Sequence, residues 1–572
     1  ERPLPDLQRP VLLRDKTGKL VHKTKHDARF LLNIGRNPFV ATRFNYMAKG
    51  IVSAKQENNC IYVVVDPSFT NSAALADSWL PIKPGKDPEF LAALLYYILE
   101  NDNLSDPERR YMDHEFIERY SAGWEEFRDE FLKYAHQKDP ANAKNYFTLD
   151  WAEEKTGIPK VDIENIAHAF GITKPAAIEI GMHGTAHHTN GDVASILMMA
   201  LCLITGNMDR PGGLVFIGSQ KAKKGIHTRG EDFLGRIVTR TIDGKSVSGR
   251  LEELNKDRYG QYPAAWQGVL TDVPAKIKAG VRMNFGPFKD YRYLLKALVI
   301  RAGNPVITSG NTRDWIDAVT AKDPNGNYPV DLVVSIDTHI NETGKYADII
   351  LPEAGFLERM GLSDVYTFSP EIALRDRVIA PLHESKTPFE IMLSLAVALE
   401  KNGDIDIKSS DFGKRYASEA DFINEILEDA PGFHNIGEPL PYPDLPEGAV
   451  IYGRPDNPTA MWNGDIVKRG KPLTVRWLRE NHGVAVWPAS YMRYKKKDGA
   501  ITAAYPKTAS GKFEFRFSYL ENINERFGTD YPVTFYWAAR RWDPDDEAYA
   551  SLRFNFPFQL ISGRAHHSAT MT

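Results

Sequence analysis

Cysteine is nearly absent: Cys60 and Cys202 are the only two in 572 residues. So few thiols exclude a disulfide framework, and they exclude an iron–sulfur or structural zinc site built from cysteines of this segment. Long apolar runs are also missing. The longest, near Ala194 to Thr205, falls short of the roughly 20 residues that span a bilayer, so no direct membrane span is expected. Charge of one sign is lacking too, because 71 Lys+Arg against 75 Asp+Glu leave a net charge of −4, and nothing here points to nucleic acid. No Gly-x-Gly-x-x-Gly follows a strand. Gly244-Lys245-Ser246 has Thr239 where a P-loop needs its first glycine, and no Gly-x-Ser-x-Gly elbow occurs, so dinucleotide-fingerprint, Walker and serine-hydrolase readings all fail.

What is present is α/β alternation. Buried-strand runs occur at Arg29–Gly35, Cys60–Val65 and Ala176–Gly181, with helices at Phe90–Glu100 and Ile196–Ile204. A second set follows, with strands at Leu295–Arg301, Asp331–Asp337 and Ala347–Leu351 and a helix at Phe389–Glu400. The fold class this predicts is α/β, with two doubly wound Rossmann-like units, irregular connections between them, and the start of a C-terminal β-barrel domain. The divisions are 1–26, an extended arm or insertion; 27–215, the first unit; 216–290, an elaborated connection; 291–402, the second unit; 403–550, an irregular wrapping segment; and 551–572, the barrel start. The chain opens at Glu1 and closes in a strand-and-loop pattern, which we read as a segment of a longer chain.

The candidate site residues fall where open α/β sheets bind ligands, at the carboxyl ends of strands. Gly35-Arg36-Asn37-Pro38 and Gly303-Asn304-Pro305 each follow a buried strand, and their repetition suits a pyrophosphate: glycine admits close approach, Asn donates, Pro stiffens the exit. The plain alternative is a turn. Asp66 ends the second strand, where it can accept from ribose hydroxyls or form an Asx turn before Pro67. Lys83, Gly85 and Asp87 lie on a rigid turn, with Asp87 either a ligand contact or a helix N-cap. His183, His187 and His188, with Thr189 and Asn190, occupy a loop between a strand and a buried helix. No carboxylate or thiolate at ligand spacing accompanies them, so polar contacts to a bound cofactor are expected rather than a metal site. Arg564, His566 and His567 form a similar cluster near the end.

Taken in order, these residues resemble a known family. Ile34-Gly-Arg-Asn-Pro38, Val65-Asp-Pro-x-x-Thr70-x-x-Ala73-x-x-Ala-Asp77-x-Trp-Leu-Pro-Ile-Lys83-Pro-Gly85-x-Asp87, His188-Thr-Asn-Gly191, Thr205–Gly213, Gly303-Asn-Pro305, the run from Asp337 through Asp348 to Glu358, Thr508–Phe515 and Ile561–Arg564 are similar to the molybdopterin oxidoreductases of the dimethyl sulfoxide reductase family. The histidine loop looks most like the thiosulfate, polysulfide and tetrathionate reductase branch, with phenylacetyl-CoA:acceptor oxidoreductase and acetylene hydratase as neighbours.

The resemblance implies a catalytic subunit carrying molybdenum or tungsten on two pyranopterin guanine dinucleotides, one nucleotide per α/β unit. Gly35, Arg36, Asn37, Pro38, Asp66, Thr70, Lys83, Gly85, Asp87, His187, His188, Thr189, Asn190, Gly303, Asn304, Pro305, Asp337, Asp348, Arg564, His566 and His567 would contact it, and His183 would donate a proton to the substrate or hydrogen-bond a pterin. It also implies a 4Fe–4S cluster and a metal-ligating residue upstream of this segment, and partners comprising a small-molecule substrate, an iron–sulfur electron-transfer subunit and a membrane anchor. Under the sulfur-reductase reading the location would be extracytoplasmic, or periplasmic, at a membrane. A departure is Lys86, where family members often carry Thr. The alternative from a different class is a non-catalytic remnant that keeps the cofactor crevices.

Overall fold

A computed structural model of the chain describes residues 4–5, 9–14, 20–40, 45–186, 190–215, 237–250, 273–282, 287–364, 371–402, 416, 418–428, 474–480, 483–486 and 508–537. Arg564, His566, His567 and the expected barrel segment 551–572 lie outside the described residues, as do His187, His188 and Thr189.

Four strands make the first parallel sheet: β1 (Phe30–Ile34), β2 (Ile61–Val65), β3 (Ser78–Leu80) and β4 (Ala176–Ile180). Their order is β3-β2-β1-β4, with Phe30 opposite both Ile61 and Ala176. Every residue of β1 and β4 is buried, as expected of parallel strands covered on both faces. The covering helices are α1 (Asn45–Asn58), α2 (Asp87–Asn101), α3 (Lys160–Ile172) and α4 (Gly191–Ile204), and α2 packs on both α3 and α4. Strand order reverses between β1 and β4, and open sheets of this kind take ligands in the crevice at such a switch point.

The second sheet is β5 (Ala297–Arg301), β6 (Leu332–Asp337) and β7 (Ile349–Pro352), parallel and in sequential order. Helix α5 (Thr312–Thr320) contributes Trp315 and Ala318 to one buried cluster with Val330 and Val333, and α6 (Pro388–Lys401) contributes Ile391 to another with Val334 and Ile336. A Thr387–Glu390 capping box starts α6. Among the described residues this sheet shows three strands, the counterparts of β1, β2 and β3, in sequential order.

The expected wrapping segment contains more order than its weak periodicity suggests. Helices Glu419–Glu428, Val475–Glu480 and Ser518–Phe527 lie within it, and Val484–Val486 pairs with Glu371–Arg375, itself paired with Gly361–Asp364. Phe513–Glu514 pairs in parallel with Ser121–Ala122. Phe515 and Phe535 enter the first unit's core against Trp124, Phe127, Phe131 and Phe147. Residues 508–537 are thus part of the first unit's packing despite their distance in sequence.

Candidate nucleotide-binding site

At the end of β1 the chain turns through Gly35, whose φ of +60° favours glycine and whose N–H donates to the Val65 carbonyl at 2.9 Å. The turn leaving β4 crosses closely over it. A Cβ on Gly181 would sit 1.9 Å from the Gly35 carbonyl oxygen and one on Gly184 2.1 Å from it, so only bare backbone fits. Arg36 forms an ion pair with Glu179 of β4, which is 3% exposed. Asn33 donates to the Arg36 carbonyl at 2.9 Å and to the Tyr62 hydroxyl at 2.8 Å, while its own Oδ1 is buried without a hydrogen-bond partner. Asn37 Oδ1 accepts from the Ser72 backbone N–H at 3.3 Å and from Ser72 Oγ at 2.8 Å.

Thr70 caps the short helix Asn71–Ala74, accepting from Ala73 N–H at 3.2 Å. Asp66 makes an Asx contact, its Oδ1 accepting from Ser68 N–H at 2.9 Å, and burial raises its pKa above the ordinary 3.8. Lys83 donates to the Glu154 carbonyl at 2.9 Å, Gly85 adopts a φ of +73°, and Asp87 is the first residue of α2 rather than its cap, which is Lys86. Lys86, Asp87 and Glu89 are all buried, with Lys86 Nζ 3.7 Å from Glu89 Oε1.

The second sheet repeats this arrangement. Asn304 Oδ1 accepts from Thr343 N–H at 3.1 Å and Thr343 Oγ1 at 2.8 Å. Asp337, ending β6 as Asp66 follows β2, accepts from Thr338 N–H at 2.7 Å and from Asn341 Nδ2 at 2.9 Å. Asp348 accepts from Val333 N–H at 2.7 Å, matching the bond from Tyr62 N–H to Asp77 at 2.7 Å. Asp348 therefore lies at the amino edge of its sheet, away from the turns, holding adjacent strands in register. Pro305 opens the short helix Pro305–Thr308. The two Asn-Pro pairs coincide, whereas the glycines do not: the left-handed residue matching Gly35 is Ala302, with φ +49° and an N–H donating to Ile336 O at 2.9 Å. Gly303 takes the place of Arg36.

Sequence reasoning missed Ser72, Thr343, Asp77 and Glu179. The signal for the first three was the matched spacing Asp66–Ser72–Asp77 and Asp337–Thr343–Asp348. His183 belongs to the π-helical turn Met182–Ala186, directly after β4, and Asn190 is buried just before α4. Cys60 and Cys202 are buried, and burial pushes both thiols up to about 12, so neither offers a thiolate.

Residues 23–398 match the molybdopterin oxidoreductase family. The chain belongs to that family. Among its relatives, the dimethyl sulfoxide reductase DmsA of Escherichia coli is 27% identical over 60% of this chain and 39% of its own length. The thiosulfate reductase molybdopterin-containing subunit PhsA of Salmonella typhimurium is 26% identical over 65% of this chain and 44% of its own. The arsenate respiratory reductase molybdopterin-containing subunit ArrA of a Shewanella strain is 25% identical over 89% of this chain and 55% of its own. The chain thus spans about two fifths to one half of the curated relatives it matches. Acetylene hydratase from Pelobacter acetylenicus shares the fold, with a TM-score of 0.55 at 19% identity over 93% of this chain and 60% of that one.

A molybdopterin family member holds a pterin cofactor, and the residues present fit its phosphate-bearing part. A Cβ on Gly303 would find its nearest neighbour at 3.5 Å, and its φ lies outside the left-handed region. The chain's own packing therefore does not demand glycine there, and the bare backbone leaves room for a close phosphate. Around it the turn's backbone amides are the groups such a ligand can use, because Asn304 Nδ2 already donates to the Glu342 carboxylate at 2.6 Å and the Thr343 hydroxyl to Asn304 Oδ1.

Proposed function

We propose that the chain is part of the catalytic subunit of a molybdenum or tungsten bis(pyranopterin guanine dinucleotide) oxidoreductase that reduces an inorganic sulfur compound such as thiosulfate, polysulfide or tetrathionate. The observation that carries this reading is the pair of matching turns, Asn37 with Ser72 and Asn304 with Thr343, in a chain of the molybdopterin family. Two equivalent turns suit two nucleotides. Asp66 and Asp87 serve one guanosine, accepting from its base or ribose, and Arg36, held by Glu179, faces the first turn. When bound, the cofactor supplies a metal that exchanges two electrons, which suits cleavage of a sulfur–sulfur bond.

His183 then protonates the basic sulfur leaving group, a task for an imidazole that titrates near 6.5 when unperturbed. Similarity to a thiosulfate reductase subunit supports the substrate class. The same reading places a 4Fe–4S cluster upstream, an iron–sulfur subunit and a membrane anchor as partners, and an extracytoplasmic location. Acid hydrolysis of the purified full-length protein should release close to two guanine nucleotides per metal; one or none overturns the two-turn assignment. Reduced viologen should be oxidised with thiosulfate, polysulfide or tetrathionate, and turnover with dimethyl sulfoxide alone would overturn the sulfur assignment.

A further inference from the structure

The carboxyl edge of the second sheet carries a charge arrangement that the turns do not use. Glu353, directly after β7, is 4% exposed. Its carboxylate lies 2.7 Å from Arg301 Nε, accepts from Arg301 Nη2 at 2.9 Å, and also takes the Nη1 of Arg359. One buried carboxylate is thus shared by two guanidiniums. A third guanidinium lies nearby: Arg375, on Glu371–Arg375, rests on the bare backbone of Gly361, where a Cβ would stand 2.7 Å from its Nη2. Among the described residues no carboxylate is within ion-pair distance of Arg375. Burial, followed by the Arg359 charge, holds the Arg375 pKa below its usual range. The carboxylate of Glu419, whose charge acts on Arg375, has its own pKa raised by burial and already accepts from Met360 N–H at 3.2 Å.

The Nε of Arg359 is buried with no hydrogen-bond partner. Such a donor is costly to leave unmade, and two neighbouring guanidiniums repel unless an anion lies between them. Arg301 and Glu353 fix one side of the arrangement, with Glu353 Oε2 also buried and without a hydrogen-bond partner; on the other side the buried Nε of Arg359 is unmet, and the exposed guanidinium of Arg375 is open to solvent and to an anion arriving from it.

We propose that Arg359 and Arg375 form a binding site for a tetrahedral oxyanion, with Glu353 and Arg301 as positioning residues. The oxyanion is either free in solution or a phosphate of a bound nucleotide; the chemistry is shared, and cofactor content separates the two sources. Full-length protein prepared with and without its cofactor is titrated with inorganic phosphate and with thiosulfate, chloride serving as the ionic-strength control, and thermal stability is followed.

Saturable stabilisation beyond chloride is expected. If it occurs only in cofactor-free protein, a nucleotide phosphate is the natural occupant; if it persists in loaded protein, the site takes a free oxyanion. R375Q should weaken the anion affinity about tenfold or more, the scale of one charge-assisted hydrogen bond, with R375K intermediate because it keeps charge but loses the planar fork. R377Q, an exposed neighbour, should bind as wild type. Should R375Q fail to fold, R359K is read the same way. Stabilisation no greater than with chloride in both preparations, or wild-type affinity in folded R375Q or R359K, overturns the proposal. Pterin and metal content of the same samples report separately on the proposed function, so either reading can fail alone.

Discussion

Asn37 and Asn304 hold the same place in the two parallel sheets. Each accepts, through Oδ1, the backbone N–H and the hydroxyl of a residue six positions after the aspartate that closes the neighbouring strand: Ser72 after Asp66, Thr343 after Asp337. Both donors are buried, Ser72 at 0% and Thr343 at 3% exposure. The asparagine therefore ties the turn after the first strand to the loop after the second, which forms one rigid rim per sheet.

Removing either rim bond leaves a buried hydroxyl and a buried N–H unpaired. N37A and N304A should each lose about 1–3 kcal/mol of stability. Under the proposed function each should also lower guanine nucleotide from about two to about one per metal. Chemical denaturation and nucleotide release on the same samples check both, and full retention in both variants would remove the asparagines from the cofactor site.

Ala302 occupies the left-handed position that Gly35 fills in the first unit. A left-handed L-residue costs about 1–2 kcal/mol, partly offset by the greater freedom glycine has when unfolded. A302G should therefore stabilise the protein by roughly 1 kcal/mol, seen as a higher urea midpoint at unchanged slope. G35A should do the opposite and by more, because its Cβ would also meet Thr185 Oγ1 at 2.7 Å. A lower midpoint for A302G would sink this account.

Burial raises the Asp66 pKa above 3.8. A carboxyl raised on folding adds stability only while protonated, so its contribution is present below about 3.8 and lost as pH rises through the folded value. D66N should thus match wild type at pH 3 and exceed it in stability at pH 7, provided the amide still accepts from Ser68 N–H. Paired denaturation curves at the two pH values test the sign; a gap that is widest at acid pH would refute it.

His183 stands on the π-helical turn after β4, and the proposed function gives it the proton. H183Q should keep metal and pterin while losing roughly a hundredfold in turnover. A histidine that only supports the cofactor would instead lower metal content and leave activity per metal unchanged, so both quantities are measured on one preparation.

Phe535 packs against Phe127, Phe131 and Phe147, with ring centroids at 5.3, 4.9 and 6.2 Å. F535A should destabilise by about 3–5 kcal/mol. Because the lost contacts are to the first unit, near-wild-type thermal stability in F535A would mean that the 508–537 segment is not part of that core.

The sequence alone determined whatever depends on a few neighbouring residues. Short, mainly apolar runs become β1, β2, β4 and β6 because each can be buried on both faces, and glycine and proline mark the turns because their backbone freedom or rigidity acts locally. Cys60 and Cys202 could be set aside as ligands for the same reason: their apolar surroundings were already visible.

Only the tertiary structure decided which distant residues meet. Asn37 reaches Ser72 and Arg36 reaches Glu179 because parallel strands bring their carboxyl ends to one edge, and Phe513 joins Ser121 from more than half the chain away. The equivalence of Ala302, rather than Gly303, with Gly35 was likewise hidden. Residue type reports which backbone angles are allowed, whereas the angle taken is set by how the strand ends are pinned: the hydrogen bonds from Gly35 to Val65 and from Ala302 to Ile336 impose the same turn on a residue suited to it and on one that is not.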